Sequence, residues 1–400
     1  MRIAALFSLP LLMLPQLGFG QTISAEIGTN GLAATEARLA ALPGPTDADR
    51  FALGGVRFLG VVEHALQQRW QIGLTDTMSM LPFLHLPIDE NPNPAAFDPA
   101  VIASIFRDTA LGMDAARAPL AEIPETSDFG LEIALSDLWF DINANKTRDP
   151  GEDMMAVAGP MILGWQWGER DPATPAPVIR FDVADAAWLS AYTHLLGGIS
   201  ETVLAYDPTA ALTKTLTSRA EMAKLAPIEP DLFFGSRSNF DAVDMVATVL
   251  GTLNQNPDAA RATAAHGHFL AMVADNRAFW ARVAAESDNT NEFLPSDSQK
   301  SALGIEVPQG TGTMWLAVLA DFEKMLKGEA LVPFWRLDEG AGVNIGKMFT
   351  DPRPIDVAGW IQGADALPYL QKGPVVSGTS WRAFEQMMGG EAMLFTLFLN

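Results

Sequence analysis

Apolar residues recur three and four positions apart along most of this 400-residue chain, and strict alternation of apolar with polar positions is scarce, a pattern that predicts helices in place of strands. The spacing gives a short helix over residues 33–41, stopped by Pro43-Gly44-Pro45. Thr46-Asp47-Ala48-Asp49 then caps a long helix on which Phe51, Leu53, Val56, Phe58, Leu59, Val62 and Leu66 form broad apolar faces. Four prolines between residues 81 and 94 predict an irregular crossing. Asp98-Pro99-Ala100 restarts a helix that runs to about residue 118, with proline in its favoured first turn.

The strongest pattern spans residues 182–206. Trp188, Leu189, Tyr192, Leu195, Leu196, Ile199 and Val203 make a large apolar surface there. A second face of Ala187, Ala191, His194, Gly198, Glu201 and Ala205 carries small residues that let a neighbouring backbone come close. Further helices are expected over residues 240–253, 257–285 and 313–326. Beyond Gly328 the pattern weakens into a Pro/Gly-rich tail with isolated apolar clusters at Trp360-Ile361 and residues 394–399. No repeat at solenoid periods and no low-complexity tract is found. The expected fold is therefore mainly α, an irregular helical bundle or array with long loops. The Pro- and charge-rich stretch 168–177 divides an N-terminal helical region, residues 21–170, from a C-terminal one, residues 178–400, although the pattern is equally compatible with one domain spanning both.

One segment breaks the helical pattern with chemistry of its own. Asp141-Ile142-Asn143-Ala144-Asn145-Lys146-Thr147-Arg148-Asp149-Pro150-Gly151-Glu152 sets oxygen-bearing residues at positions 1, 3, 5, 7, 9 and 12. These twelve residues resemble an EF-hand-type calcium-binding loop, and the resemblance extends no further along the chain. It implies a Ca²⁺ held by Asp141, Asn143, Asn145, Thr147, Asp149 and Glu152: Thr147 through its main-chain carbonyl, Asp149 directly or through water, and Glu152 with both oxygens. Residues 127–137 lead into the loop with Leu131, Leu135, Leu138 and Trp139 facing inward. Two departures matter. Lys146 stands where the family has glycine, at a turn that wants positive φ and costs any other residue about 1–2 kcal/mol. Arg148 replaces the β-branched residue of the strand that pairs two such loops, and no second loop occurs. Three carboxylates partly offset by two cations imply a modest affinity of roughly 10⁻⁴–10⁻³ M, suited to a structural ion and not to a sensor. The plain alternative is an Asx-rich surface turn that binds nothing.

The N-terminus bears on where calcium would be met. Arg2 precedes an apolar run over residues 3–19 that contains Pro10 and Pro15 and ends in Leu17-Gly18-Phe19-Gly20. This is the layout of a secretory signal peptide over residues 1–20, cut near Gly20 and sending the mature chain to the periplasm or outside the cell. The two prolines disfavour a retained membrane anchor. No later segment is long and apolar enough to span a bilayer, and with no cysteine there is neither a disulfide nor a lipidated N-terminal thiol. Against 48 Asp and Glu stand 26 Lys and Arg, a net charge of −22 that removal of Arg2 would bring to about −23. Such a surface repels nucleic acid and anionic lipid, and it leaves a protein, glycan or small-molecule ligand open.

Candidate chemistry elsewhere is sparse. His194 and Glu201 lie seven positions apart and so project within ~20° of each other, roughly two turns apart on one helix. They read as a polar pair buried between helices, as half of a metal site, or as an acid/base pair, and two ligands from one helix do not make a site. His266-Gly267-His268 reads as a solvated helix face, since i and i+2 point about 200° apart. Trp165-Gln166-Trp167, flanked by Gly164 and Gly168, suits a sealed core edge better than a sugar platform. Gly340-Ala341-Gly342-Val343-Asn344-Ile345-Gly346-Lys347 lacks the Ser/Thr and the preceding strand of a phosphate loop. No Gly-x-Ser-x-Gly, His-Glu-x-x-His or Ser-x-x-Lys signature occurs, though chemistry assembled from distant residues leaves no such mark. In outline the chain is similar to imelysin-like periplasmic proteins, but their His-x-x-Glu-type motif is missing and their function is not carried over. The expectation is an exported calcium-binding helical protein acting as a binding or scaffold module. The alternative is a periplasmic hydrolase or metalloenzyme built around His194 and Glu201.

Overall fold

The computed structural model describes residues 22–75, 81–163, 166–169, 174–225, 237–390 and 392–399, so the expected signal peptide and Trp165 fall outside the described residues. Helix α1 (Ile23–Ala40) begins well before residue 33 because Thr22 caps it, its hydroxyl accepting the Ala25 N–H at 3.2 Å. At Gly31 the backbone turns to φ +78° and the helix kinks. The Ile27 carbonyl accepts the Trp139 indole N–H at 3.1 Å, and the ring packs where a side chain at residue 31 would stand. Helix α2 (Asp47–Gln71) opens on a full capping box of Thr46 and Asp49. The proline-rich crossing keeps a single turn, α3 (Pro82–His85), beside which the buried Arg69 guanidinium donates to the Leu86 carbonyl at 2.7 Å. Asp98 starts α4 (Ala100–Leu120) by accepting the Ala100 N–H.

The lead into the loop is strand β1 (Leu131–Ala134) and one 3₁₀ turn (Leu135–Asp137), with Leu131, Leu135, Leu138 and Trp139 all buried as the pattern requires. After the loop come α5 (Met154–Ile162), the turn α6 (Gln166–Glu169) and β2 (Val178–Phe181). Strands β1 and β2 pair antiparallel, Leu131 opposite Phe181 and Ala134 opposite Val178. Buried residues on both sides of residues 168–177 belong to one continuous core, which runs from Ile27 to Phe395.

Helix α7 (Val183–Ala205), opened by an Asp182–Asp185 capping box, is the buried hub of that core. Helices α8 (Thr209–Leu225) and α9 (Arg237–Leu253) run antiparallel, Ala211 against Gly251 and the Thr215 hydroxyl 3.0 Å from that of Thr248. Helix α8 escapes the sequence pattern because it has no apolar stripe; Ala211 is its buried residue. Helix α10 (Ala259–Val283) lies along the small-residue face of α7, with Phe269 so close to Gly198 that a Cβ there would sit 2.8 Å from the ring. Helix α11 (Thr311–Leu326) adds Trp315 and Leu319 to the core.

The expected tail is folded. Strands β3 (Val332–Pro333), β4 (Ala341–Val343) and β5 (Leu370–Lys372) build a three-stranded antiparallel sheet in the order β3-β4-β5, with helices α12 (Ile345–Thr350) and α13 (Val357–Gln362) between β4 and β5. It covers a satellite core of Phe334, Val343, Ala366 and Tyr369. Aromatic residues close this small core without any sustained periodicity, which is why the pattern misses it. A strand does occupy the Gly340–Lys347 segment. Its glycines serve packing, with Gly342 against the Val332 carbonyl and Gly346 against that of Leu326, and Lys347 Nζ donates to the Pro368 carbonyl at 2.7 Å. Helix α14 (Thr379–Met387), the turn α15 (Ala392–Leu394) and a last turn (Phe395–Leu399) return to the main core. There Phe395 packs on Trp315 and Phe384, and the Leu397 carbonyl accepts the Tyr192 hydroxyl at 2.7 Å.

Among α2, β1, α5, β2 and α7 lies a half-open pocket of about 200 Å³ lined almost wholly by apolar side chains. Interiors normally pack without such voids. Among the described residues no helix is long and apolar enough to cross a membrane.

Candidate functional site

The loop of residues 141–152 is pinched shut at its base. Trp139 and Asp153 bridge, the Phe140 N–H donates to the Glu152 carbonyl at 2.9 Å, and the Met154 N–H donates to the Leu138 carbonyl at 2.9 Å. Inside, side-chain oxygens take main-chain N–H groups in succession. Asp141 Oδ2 accepts from Lys146 at 3.0 Å, Asn143 Oδ1 from Asn145 at 3.0 Å and Asn145 Oδ1 from Thr147 at 2.7 Å. Glu152 accepts with both oxygens, from Ile142 at 2.9 Å and Asp149 at 2.8 Å. The chain is thereby wound around its own oxygens, with Ala144 at φ +59° and Lys146 at φ +62°. Lys146 thus takes the left-handed conformation for which the family uses glycine, at a cost of about 1 kcal/mol or more.

Three observations bear on whether these residues fit a cation. Asp141 Oδ1 is buried and has no hydrogen-bond partner among the described residues. An orphaned carboxylate oxygen is costly unless something positive meets it. The amide groups of Asn143 and Asn145 both donate to Asp149 Oδ2, at 2.8 and 2.7 Å, gathering partial positive charge where a cation would bring a full one. Arg148 turns away to the Ser136 carbonyl and the Asp153 carboxylate, so its charge is engaged outside the loop and does not offset Asp141, Asp149 and Glu152. Among the described residues no three His, Asp or Glu side chains gather as a ready-made metal cage. An EF-hand-type shell is not of that kind, since it alternates carboxylates with amide and main-chain oxygens, each keeping a free lone pair. By donor chemistry the set fits a hard cation.

Two residues beneath the loop were not picked out by its spacing. From α2, Glu63 Oε2 accepts the Asp141 N–H at 2.8 Å and Gln67 Nε2 donates to the Asp141 carbonyl at 2.8 Å, seating Asp141 on a helix. Burial, reinforced by the negative charges of Asp141 and Glu152, pushes the Glu63 carboxyl up to about 7. Burial also raises Glu152, against the main-chain N–H groups that lower it. The one available signal was a glutamate set among the apolar positions Val62 and Leu66.

His194 and Glu201 both face α10, as their spacing requires, but each meets its own partner. Glu201 pairs with Arg261 at 2.9 Å. His194 Nδ1 lies 2.9 Å from His268 Nδ1, so one ring donates and the other accepts. Burial, the Arg117 charge and His268 drive His194 down to about 3, and burial with Arg117 lowers His268 as well, so both rings are neutral at pH 7. The 3.9 Å approach of His194 Nε2 to Asp275 is accordingly no ion pair. Asp275 is raised by burial and accepts from the Ser190 hydroxyl at 2.5 Å. The expected solvated face at His266 and His268 is thus corrected: His266 bonds the Leu326 carbonyl at 2.8 Å and stacks on Phe349. Trp167 packs against Gly159 at the core edge.

No family model matches the chain, and no curated protein and no solved structure matches it either.

Proposed function

We propose that this protein is an exported calcium-binding module, in which residues 141–152 take one structural Ca²⁺ and the helical body presents a binding or scaffold surface. The observation that carries the reading is the loop itself: oxygen donors in register, a lysine held left-handed at the sixth position, and the orphaned Asp141 Oδ1. Asp141, Asn143, Asn145, the Thr147 carbonyl, Asp149 and Glu152 would hold the ion. A hard cation supplies charge neutralisation and closure of the loop, and no reaction step is assigned to it. Export rests on the apolar N-terminal run. An enzyme built around His194 and Glu201 finds no support in their separate partners.

Thermal unfolding with and without calcium tests the reading. Calcium at 100 times its dissociation constant adds about 2.7 kcal/mol, which for an affinity in the expected range means tens of millimolar calcium or more. A rise of a few degrees in Tm is expected, absent in Asp141→Ala and in Glu152→Gln. Identical melting of the unaltered protein in calcium and in chelator sinks the proposal.

A further inference from the structure

The half-open apolar pocket among α2, β1, α5, β2 and α7 is a second site. We infer that it binds the aliphatic chain of an uncharged alkyl or acyl ligand, roughly eight carbons deep. The inference names a ligand class for the binding module proposed above and rests on that reading, while its test does not depend on the ion.

Chemistry narrows the ligand. The walls come from α2 (Phe51, Gly55, Leu59), from β1 and from α7, and among the described residues they carry no charged side chain. The polar tip of Tyr192, which lines the space, is turned away to the Leu397 carbonyl. A sugar, nucleotide or amino acid would lose its hydrogen bonds to water and find none in return. An aliphatic chain loses nothing. Volume sets the length: a cavity of 150 Å³ accepts benzene, and by proportion about 200 Å³ accepts roughly eight carbons. Adaptability favours a flexible chain over a rigid ring system, because Met154, Met155 and Met161 of α5 form one wall, and methionine repacks readily around irregular shapes. The strongly acidic surface favours an uncharged head over a carboxylate.

The experiment is a calorimetric titration of the purified protein with normal alcohols from four to fourteen carbons, in calcium and in chelator. Expected is one saturable site whose affinity climbs about fourfold per added methylene and levels off near eight carbons, when the cavity is full. Gly55→Leu should lower affinity at least tenfold: a Cβ at residue 55 meets nothing within 4 Å, so the added side chain has room, and leucine suits a helix better than glycine. Ala158→Leu is the companion from α5, which also lines the pocket. Absence of saturable binding, an affinity that keeps climbing to fourteen carbons, or unchanged binding in a folded Gly55→Leu protein overturns the inference. The chain-length break needs no variant and stands even where both variants misfold. Alkyl binding without any calcium-dependent Tm shift would overturn the calcium reading alone. A calcium shift without alkyl binding would overturn the cavity reading alone.

Discussion

At the scale of single residues, Lys146 carries the sharpest test of the loop. Its φ of +62° is a conformation that a lysine adopts at a cost of about 1–2 kcal/mol and a glycine at almost none. Lys146→Gly should therefore gain about 1 kcal/mol in chelator, despite the greater freedom of glycine in the unfolded chain, and should bind calcium more tightly by removing a nearby positive charge. Denaturant melts and a calcium titration measure both, and a less stable variant would mean that the loop does not need the left-handed turn. His194 offers a second test. Its folded pKa of about 3 lies below the unfolded 6.5, so the unfolded chain takes up a proton first as pH falls. The stability linked to this group is fully present above pH 6.5 and is lost between pH 6.5 and 3. Nuclear magnetic resonance of the imidazole should show no titration above pH 4, and His194→Gln should cost about 1–3 kcal/mol at pH 7.5 and progressively less below pH 6. A titration midpoint near 6.5 would place the ring in solvent.

At the scale of elements, the contact of α7 with α10 is set by glycine. A side chain at residue 198 would overlap the Phe269 ring, and a buried ring between two long helices yields little. Gly198→Val should cost about 1–3 kcal/mol, with part recovered by Phe269→Leu, and urea melts of the single and double variants give the comparison. A neutral Gly198→Val would mean that the two helices are more loosely apposed. This face was legible in advance because every residue on it belongs to one helical period, and so were α2, α4, α10 and α11, whose apolar positions are local in sequence. The pairing of β1 with β2 was not, since four-residue strands joined across more than forty residues leave no periodic trace. The same limit hid the satellite sheet. It also split the candidate sites: the candidate donors of the loop are contiguous and so stand out in the sequence, whereas Glu63 under Asp141 and His268 against His194 meet only through the fold.

At the scale of the molecule, the last residues complete the main core. Phe395 is buried with Trp315 and Phe384, and Leu397 anchors the phenol of Tyr192. A chain ending after Gly328 should lose these contacts, unfold at lower temperature and expose the Trp315 side of α11, which a melting curve and tryptophan emission would report. Unchanged melting would make residues 329–400 an appendage. The loop and the cavity also share a wall. Leu138 and Phe140 on one side of the pinched base, and Met154 and Met155 on the other, all line the void. Whatever factor calcium contributes to the grip on an alkyl tenant, the tenant returns to the grip on calcium, because coupling between two sites is reciprocal. On the two proposals, an alkyl titration with and without calcium and a calcium titration with and without the alkyl ligand should therefore report the same factor.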